Sequence, residues 1–447
     1  MRSCHYPFGA LFERKLAMAA TALKERKGTD LKQKVALLGV LAALTSSSWA
    51  QQGPVPKGIP HLDHVFVIMM ENHGYNEILN NPNAAFINRY ARSANLATNY
   101  FAVAHPSLTN YLEVVGGANF GVLSDNPPDW HNATCTTNFA SGTANTDNPP
   151  SLNVCPIAGS GTDAATPALD CTNEVQGPPC EININGTLAI AAVSTTLGIT
   201  IANQLADAGK SWKTYQENLP LTGPDTVNYS DGNFTNNTDF TKIKPPLNPP
   251  LTQSDIVQLY ASKHNPFVYF QDVQQGTNPL VSYSNMAEFE GLGGFWGDLG
   301  SGKVPNFSFI VPNQCNDQHG RGNGTAFCNY DPNDNGTQAG LNPALIILGD
   351  QAVEKIVTAI HGSPVWRRGR NAIIVVWDEN DYAVQPIVNK VVMIVDTNYG
   401  FHELRSGAFY THFSLLKSIE GGFELPCLNH ACDANVNVMS DLFGDDH

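Results

Sequence analysis

Positive charge is scarce in this 447-residue sequence, where 25 Lys and Arg stand against 40 Asp and Glu. Eight of those 25 and three of those 40 fall in the first 50 residues, so 17 face 37 in the rest, a formal balance of −20. Such a chain offers no basic surface to a polyanion, which argues against nucleic-acid binding. Long apolar runs are also missing. The run Val35–Leu44 is too short to anchor the chain in a bilayer. No Cys-x-x-Cys pair occurs, which argues against a zinc ribbon. No internal repeat is visible. Charged residues make up only 15% of the chain and hydrophobic ones 42%, the balance of a folded protein and not of a disordered one.

The leader and the cysteines point to export. Lys24, Arg26, Lys27, Lys32 and Lys34 precede the Val35–Leu44 run, and Ser46-Ser47-Ser48-Trp49-Ala50 follows. Basic residues, an apolar stretch and small residues before a cut after Ala50 make a secretory signal, so residues 1–50 read as signal peptide and leader, with translation starting at Met1 or Met18. Residues 51–447 are then the mature protein, secreted or periplasmic, with no transmembrane anchor after cleavage. Eight cysteines remain past the leader, an even number that implies disulfides in an exported chain. Cys315–Cys328 and Cys427–Cys432 are the local pairs expected, while Cys135, Cys155, Cys171 and Cys180 leave their connectivity open.

The organisation along 51–447 is that of one domain. Residues 121–190 and 218–252 are rich in Asn, Thr, Gly and Pro and read as loop-rich insertions, the first carrying disulfides. Elsewhere short apolar runs alternate with helical spacing. His64–Met70, Trp212–Tyr215, Pro266–Phe270, Asn306–Val311, Ile373–Trp377 and Val391–Val395 read as strands; residues 196–209, 345–360 and 411–419 read as helices. This alternation predicts an α/β fold with a largely parallel central sheet and helices on both faces.

Two of the buried runs end in oxygen ligands. Val65–Met70 runs into Glu71-Asn72-His73, and Ile373–Trp377 into Asp378-Glu379-Asn380-Asp381. Parallel sheets place their chemistry just past such strand ends. Hard oxygen donors from two strands suggest a divalent metal ion. A third segment, His105-Pro106-Ser107-Leu108-Thr109-Asn110-Tyr111-Leu112, puts Ser107 at a helix start. The commonest job of such a serine is to cap the helix. A metal held by Glu71, Asn72, Asp378 and Glu379 would activate it as a nucleophile, and the helix N-terminus would favour an anionic substrate group. The loop Asp331-Pro332-Asn333-Asp334-Asn335-Gly336 matches the first half of a calcium-binding loop, but Asn342 stands at its twelfth position where Glu belongs, so it reads as a polar turn.

Glu-Asn-His after a strand, His-Pro-Ser-Leu-x-Asn-Tyr-Leu, Cys315-Asn316-Asp317-Gln318-His319, Trp-Asp-Glu-Asn-Asp and Thr411-His412-Phe413-Ser414-Leu415-Leu416-Lys417 occur in this order. Together they resemble the phosphoesterase family of bacterial acid phosphatases and phosphatidylcholine-type phospholipases C, a branch of the alkaline phosphatase superfamily. The resemblance covers most of residues 61–425 and implies an alkaline-phosphatase-like fold. It implies Glu71, Asn72, Asp378 and Glu379 as metal ligands and Ser107 as the nucleophile. It places His319 and His412 as catalytic imidazoles, and His264, Asp317 and His105 beside the substrate. The ligands are more acidic than in alkaline phosphatases proper, which leaves the metal's identity and number open. His73 is a supporting group in this reading; Asp381 and His402 are surface residues.

The expected function is phosphate monoester hydrolysis of the acid phosphatase type through a phosphoserine. The substrate would be a small phosphate ester or a phospholipid headgroup. The alternative is a phospholipase C cleaving phosphatidylcholine-type diesters. A non-catalytic binding protein on the same fold is the reading from another class. The absence of a Cys/Ser-x-Pro-x-Arg segment argues against sulfatase chemistry.

Overall fold

The two longest buried runs in the sequence lie side by side at the centre of the sheet. The computed structural model describes residues 52–120, 136–139, 154–158, 199–219, 259–320 apart from 271, 274, 275 and 277, 328–381 and 389–444. The leader, most of 121–190 and of 218–252, and the side chains of Cys135, Cys155, Cys171 and Cys180 lie outside the described residues. Ala50–His447 form one compact unit.

The main sheet has eight strands: β1 (His64–Met70), β2 (Asn95–Ala97), β3 (Trp212–Gln216), β4 (Met286–Ala287), β5 (Phe307–Val311), β6 (Asn371–Trp377), β7 (Met393–Thr397) and β8 (Arg405–Ser406). Their spatial order is β8-β2-β7-β6-β1-β5-β3-β4. From β6 to β4 every pairing is parallel. β7 runs antiparallel to both β6 and β2. Val65–Met70 of β1 and all of β6 are buried, as strands covered on both faces must be.

Helices cover both faces. The register pairs Trp212 with Phe307 and Thr214 with Phe309, so these four residues share a face. On that face Phe309 meets Tyr111 of helix α2 (Ser107–Gly116), and Trp212 meets Phe267. Tyr215, of opposite parity, meets Phe295 on the other face. The helix starting at Phe295 packs on α4 (Pro343–Gly362), which packs on α1 (Ala85–Ser93). The short α3 (Ile201–Asp207) and α5 (His412–Gly422) pack on α2.

The helix ends follow local chemistry. Asn342 caps α4 by accepting from Ala344 N at 3.1 Å, with Pro343 at the first helical position. Gly117 ends α2 at φ 69, where a Cβ would lie 2.4 Å from the Leu428 carbonyl oxygen, so only glycine fits. Pro266–Phe270 is not a strand. It is a buried 3-10 turn, Pro266–Tyr269, because a short apolar run does not distinguish strand from buried helix and proline favours the first turn. Cys315 is bonded to Cys328 and Cys427 to Cys432, the two local pairs expected.

Candidate active site

Four neighbouring parallel strands bring their carboxyl ends to one edge of the sheet, the place where open α/β sheets hold their ligands. β1 delivers Glu71. β6 delivers Asp378 and Glu379. β5 runs into the loop carrying Asp317 and His319. β3 ends at Gln216, whose Nε2 donates to the His264 carbonyl at 3.3 Å and so fixes a third histidine-bearing segment. Gln318 ties the β5 loop to β6: its Oε1 accepts from Trp377 Nε1 at 3.0 Å. A Cβ at Gly349 would lie 2.2 Å from Gln318 Cγ, so glycine in mid-helix α4 makes room for that tie.

Ser107 reaches this edge from above. Pro106 is the cap position of α2 and Ser107 its first helical residue, so the hydroxyl is released from capping. Its Oγ lies 3.0 Å from Glu379 Oε1 and 3.2 Å from Glu71 Oε2. Asn110, on the same helix face, donates to Glu379 Oε2 at 3.1 Å. Asn72 sits at φ 62, a left-handed conformation that Asn tolerates better than most residues. Its backbone N–H donates to Asp378 Oδ1 at 3.1 Å and its amide to Asp381 Oδ2 at 3.2 Å. Asp381, partly exposed, thus holds Asn72 in place.

The donor set Glu71, Asn72, Asp378 and Glu379 fits a divalent cation. Glu71 and Asp378 are fully buried, and among the described residues Asp378 Oδ2 has no hydrogen-bond donor. Burial, then the Glu71 and Glu379 charges, push the Asp378 carboxyl well above the usual range. Burial also raises Glu71, but the His264 charge and hydrogen bond, with the Lys263 charge, outweigh it and hold Glu71 low. Crowded, donor-poor carboxylates of this kind suit a hard cation.

A second arm carries nitrogen. His264 Nε2 lies 2.9 Å from Glu71 Oε1 and its Nδ1 3.2 Å from Asp317 Oδ2. Burial opposes its protonation, but Glu71 and Asp317 prevail and lift it to about 9. Asp317 is raised by burial to about 6 despite His264. Tyr111 stacks on the His264 ring at 5.3 Å between centroids. His319 Nδ1 bonds the Gly320 carbonyl at 2.9 Å and its Nε2 meets Lys263 Nζ at 3.0 Å. Burial and then Lys263 hold the imidazole well below its usual range, so it is neutral and accepts from the ammonium. Glu71, His264 and His319 also offer ligand atoms within 4.8 Å of one another. The cationic His264 and the Lys263 ammonium on His319 make that trio a poorer cation site than the carboxylates.

Lys263 is the residue that sequence reasoning missed. Its Nζ is 3.5 Å from Ser107 Oγ. Its neighbour His264 was the only signal.

Two expected site histidines stand behind the carboxylates. His105 Nε2 bonds the Asn380 carbonyl at 2.8 Å and lies 3.7 Å from Glu379 Oε2. His412, fully buried, bonds the Asp378 carbonyl through Nε2 at 2.6 Å and accepts from Tyr100 Oη at 2.8 Å through Nδ1. Burial lowers it to about 4. His402 is a partly exposed neighbour of Asp396, away from the site.

A family model described as the Phosphoesterase family matches residues 78–329. That span holds Ser107, Lys263, His264, Asp317 and His319, and it covers more than half of the chain. The chain belongs to the Phosphoesterase family. As a member, it is a hydrolase acting on phosphoric ester bonds. It is 22% identical over 426 residues to a phosphatidylinositol-3-phosphatase of Mycobacterium tuberculosis, covering 93% of this chain and 96% of that one. It is 23% identical to an acid phosphatase of Aspergillus fumigatus, over 83% of this chain and 57% of that one. A solved structure of an alkaline phosphatase superfamily protein from Vibrio parahaemolyticus aligns with a TM-score of 0.39 and 9% identity, covering 89% of this chain and 72% of that one. The family span stops short of Glu71, Asn72, Asp378, Glu379 and His412, which join the site through the fold.

Proposed function

We propose that this phosphoesterase is an exported, metal-dependent phosphatase that hydrolyses phosphate monoesters through a phosphoserine on Ser107. One observation carries the reading: the Ser107 hydroxyl lies between the Glu71 and Glu379 carboxylates at 3.2 and 3.0 Å, on the first turn of a helix. Glu71, Asn72, Asp378 and Glu379 would hold the divalent ion. When bound, that ion supplies a lowered serine pKa and neutralisation of phosphoryl charge.

The chain's own groups do the rest. The α2 N-terminus and Lys263 bind the non-bridging oxygens. Ser107 Oγ attacks phosphorus as the alcohol leaves, and water then releases phosphate. His319, neutral and accepting from Lys263, orients that ammonium. His264 braces Glu71 and Asp317, while His105 and His412 hold the Asn380 and Asp378 peptides. Catalysis here is positioning and charge neutralisation.

Export rests on the leader and on two disulfides, which persist in oxidising compartments. No helix among the described residues is long and apolar enough to cross a membrane. A lipid-borne monoester is the second substrate reading, favoured by near full-length similarity to a phosphatidylinositol-3-phosphatase. A phospholipase C cleaving choline phosphodiesters is the diester alternative. A non-catalytic binding protein does not call for a serine hydroxyl held between two buried carboxylates.

The test is release of p-nitrophenol from its phosphate monoester, choline phosphodiester and sulfate, with and without chelator, alongside phosphate release from phosphatidylinositol 3-phosphate vesicles. Monoester turnover lost on chelation supports the reading. Preferred diester turnover selects phospholipase C, and no turnover on any substrate rejects an enzyme. Metal analysis of Glu71→Ala and Asp378→Ala decides the ligands: unchanged stoichiometry rejects them.

A further inference from the structure

Two residues past Glu71 a second group of ligand-type side chains converges. His73, Asp331 and Asp334 offer ligand atoms that all lie within 4.8 Å of one another. His73 Nε2 is 2.8 Å from Asp331 Oδ2. Glu77, only 1% exposed, points into the same group. Its Oε2 accepts from Gly74 N at 2.7 Å, and its carboxyl contacts that of Asp334. Among the described residues neither Glu77 Oε1 nor Asp334 Oδ2 has a hydrogen-bond donor, although both atoms are buried. Two facing carboxyl groups removed from water repel unless a proton or a cation lies between them.

The histidine is placed to join such a cation. His73 Nδ1 lies 3.0 Å from the Glu71 carbonyl oxygen, which turns Nε2 toward the carboxylates. A ligating imidazole is held in this way, its second nitrogen donating to a backbone carbonyl. We propose that His73, Glu77, Asp331 and Asp334 form a second divalent-cation site, which braces the Glu71–Asn72 turn from behind.

One imidazole with three carboxylates suits Mn2+ or Zn2+ better than Ca2+, which takes oxygen ligands alone. The Asp331 loop is therefore not an EF-hand half. Its twelfth residue, Asn342, spends its side-chain oxygen on capping α4. The proposal is independent of the metal assigned to Ser107.

The test separates the two sites. Protein carrying Asp378→Ala and Glu379→Ala, which removes two ligands beside Ser107, is stripped with chelator, re-equilibrated with MnCl2 and desalted. Metal is counted by mass spectrometry, and thermal melts are run with and without Mn2+. The expected result is one bound equivalent and a higher melting temperature with Mn2+. Adding Glu77→Gln and Asp334→Asn removes that equivalent, abolishes the shift and weakens Mn2+ binding at least tenfold. If that variant fails to fold, His73→Gln in the same background is measured instead. No bound Mn2+ and no shift in the starting protein overturns the proposal, as does binding that survives the added substitutions. If the wild type also holds a single equivalent, this site stands and the metal at Ser107 falls.

Discussion

Lys263 Nζ lies 3.0 Å from His319 Nε2, an ammonium donating to a neutral imidazole beside the Ser107 hydroxyl. This pair is the cationic side of a site whose other side is three carboxylates. A phosphoryl group between them meets positive charge on one flank. Lys263→Ala should therefore lower kcat/KM for p-nitrophenyl phosphate by about 10²- to 10³-fold, the scale for losing one preorganised charge-stabilising donor. The inhibition constant of inorganic phosphate should rise with it. A variant with both constants near wild type removes Lys263 from the site.

Ser107→Ala should abolish turnover and leave the melting temperature near wild type, because the hydroxyl bonds only site groups. Rapid acid quench with a labelled monoester should trap phosphoprotein in the wild type and none in the variant. Retention of a tenth or more of kcat, a loss below about 1.4 kcal/mol, would sink the nucleophile assignment.

His412 sets a pH prediction. Burial lowers it from 6.5 to about 4 in the folded protein. The folded state thus prefers the neutral ring, and the associated stability is present above the unfolded pKa and lost as pH falls toward 4. The contribution is roughly 3 kcal/mol, taking about 1.4 kcal/mol per unit. Other buried groups titrate in the same window, so the comparison is with His412→Gln. Urea melts from pH 7.5 to 4.5 should show the stability gap between wild type and variant closing with acid. Parallel curves would show that the ring does not titrate as its burial implies.

The Cys315–Cys328 bond joins residues 13 apart across the segment that carries Asp317 and His319. Replacing both by Ala should cost about 3 kcal/mol of stability on the loop-entropy model. Activity should fall as well, since Asp317 holds His264 and His319 holds Lys263. An unchanged kcat in the double variant, at a temperature where it stays folded, would make the bond purely structural.

What the sequence by itself determined is the part of this protein written in local pattern. Six buried apolar residues before Glu71, and a like run before Asp378, are legible because a strand covered on both faces has no polar positions to spend. The stripe Leu108, Leu112, Val115 and the closing glycines mark α2 for the same kind of reason. The tertiary structure alone decided what meets. Ser107 is 36 residues from Glu71 and 272 from Glu379, and only the parallel order β6-β1-β5 sets those carboxylates under one helix start. It turned Pro266–Tyr269 into a 3-10 turn, reversed β7, and drew His412 behind Asp378. It also brought Lys263 to His319. A lysine in a short turn carries no periodic signal, and its place beside Ser107 and His319 is set wholly by the fold.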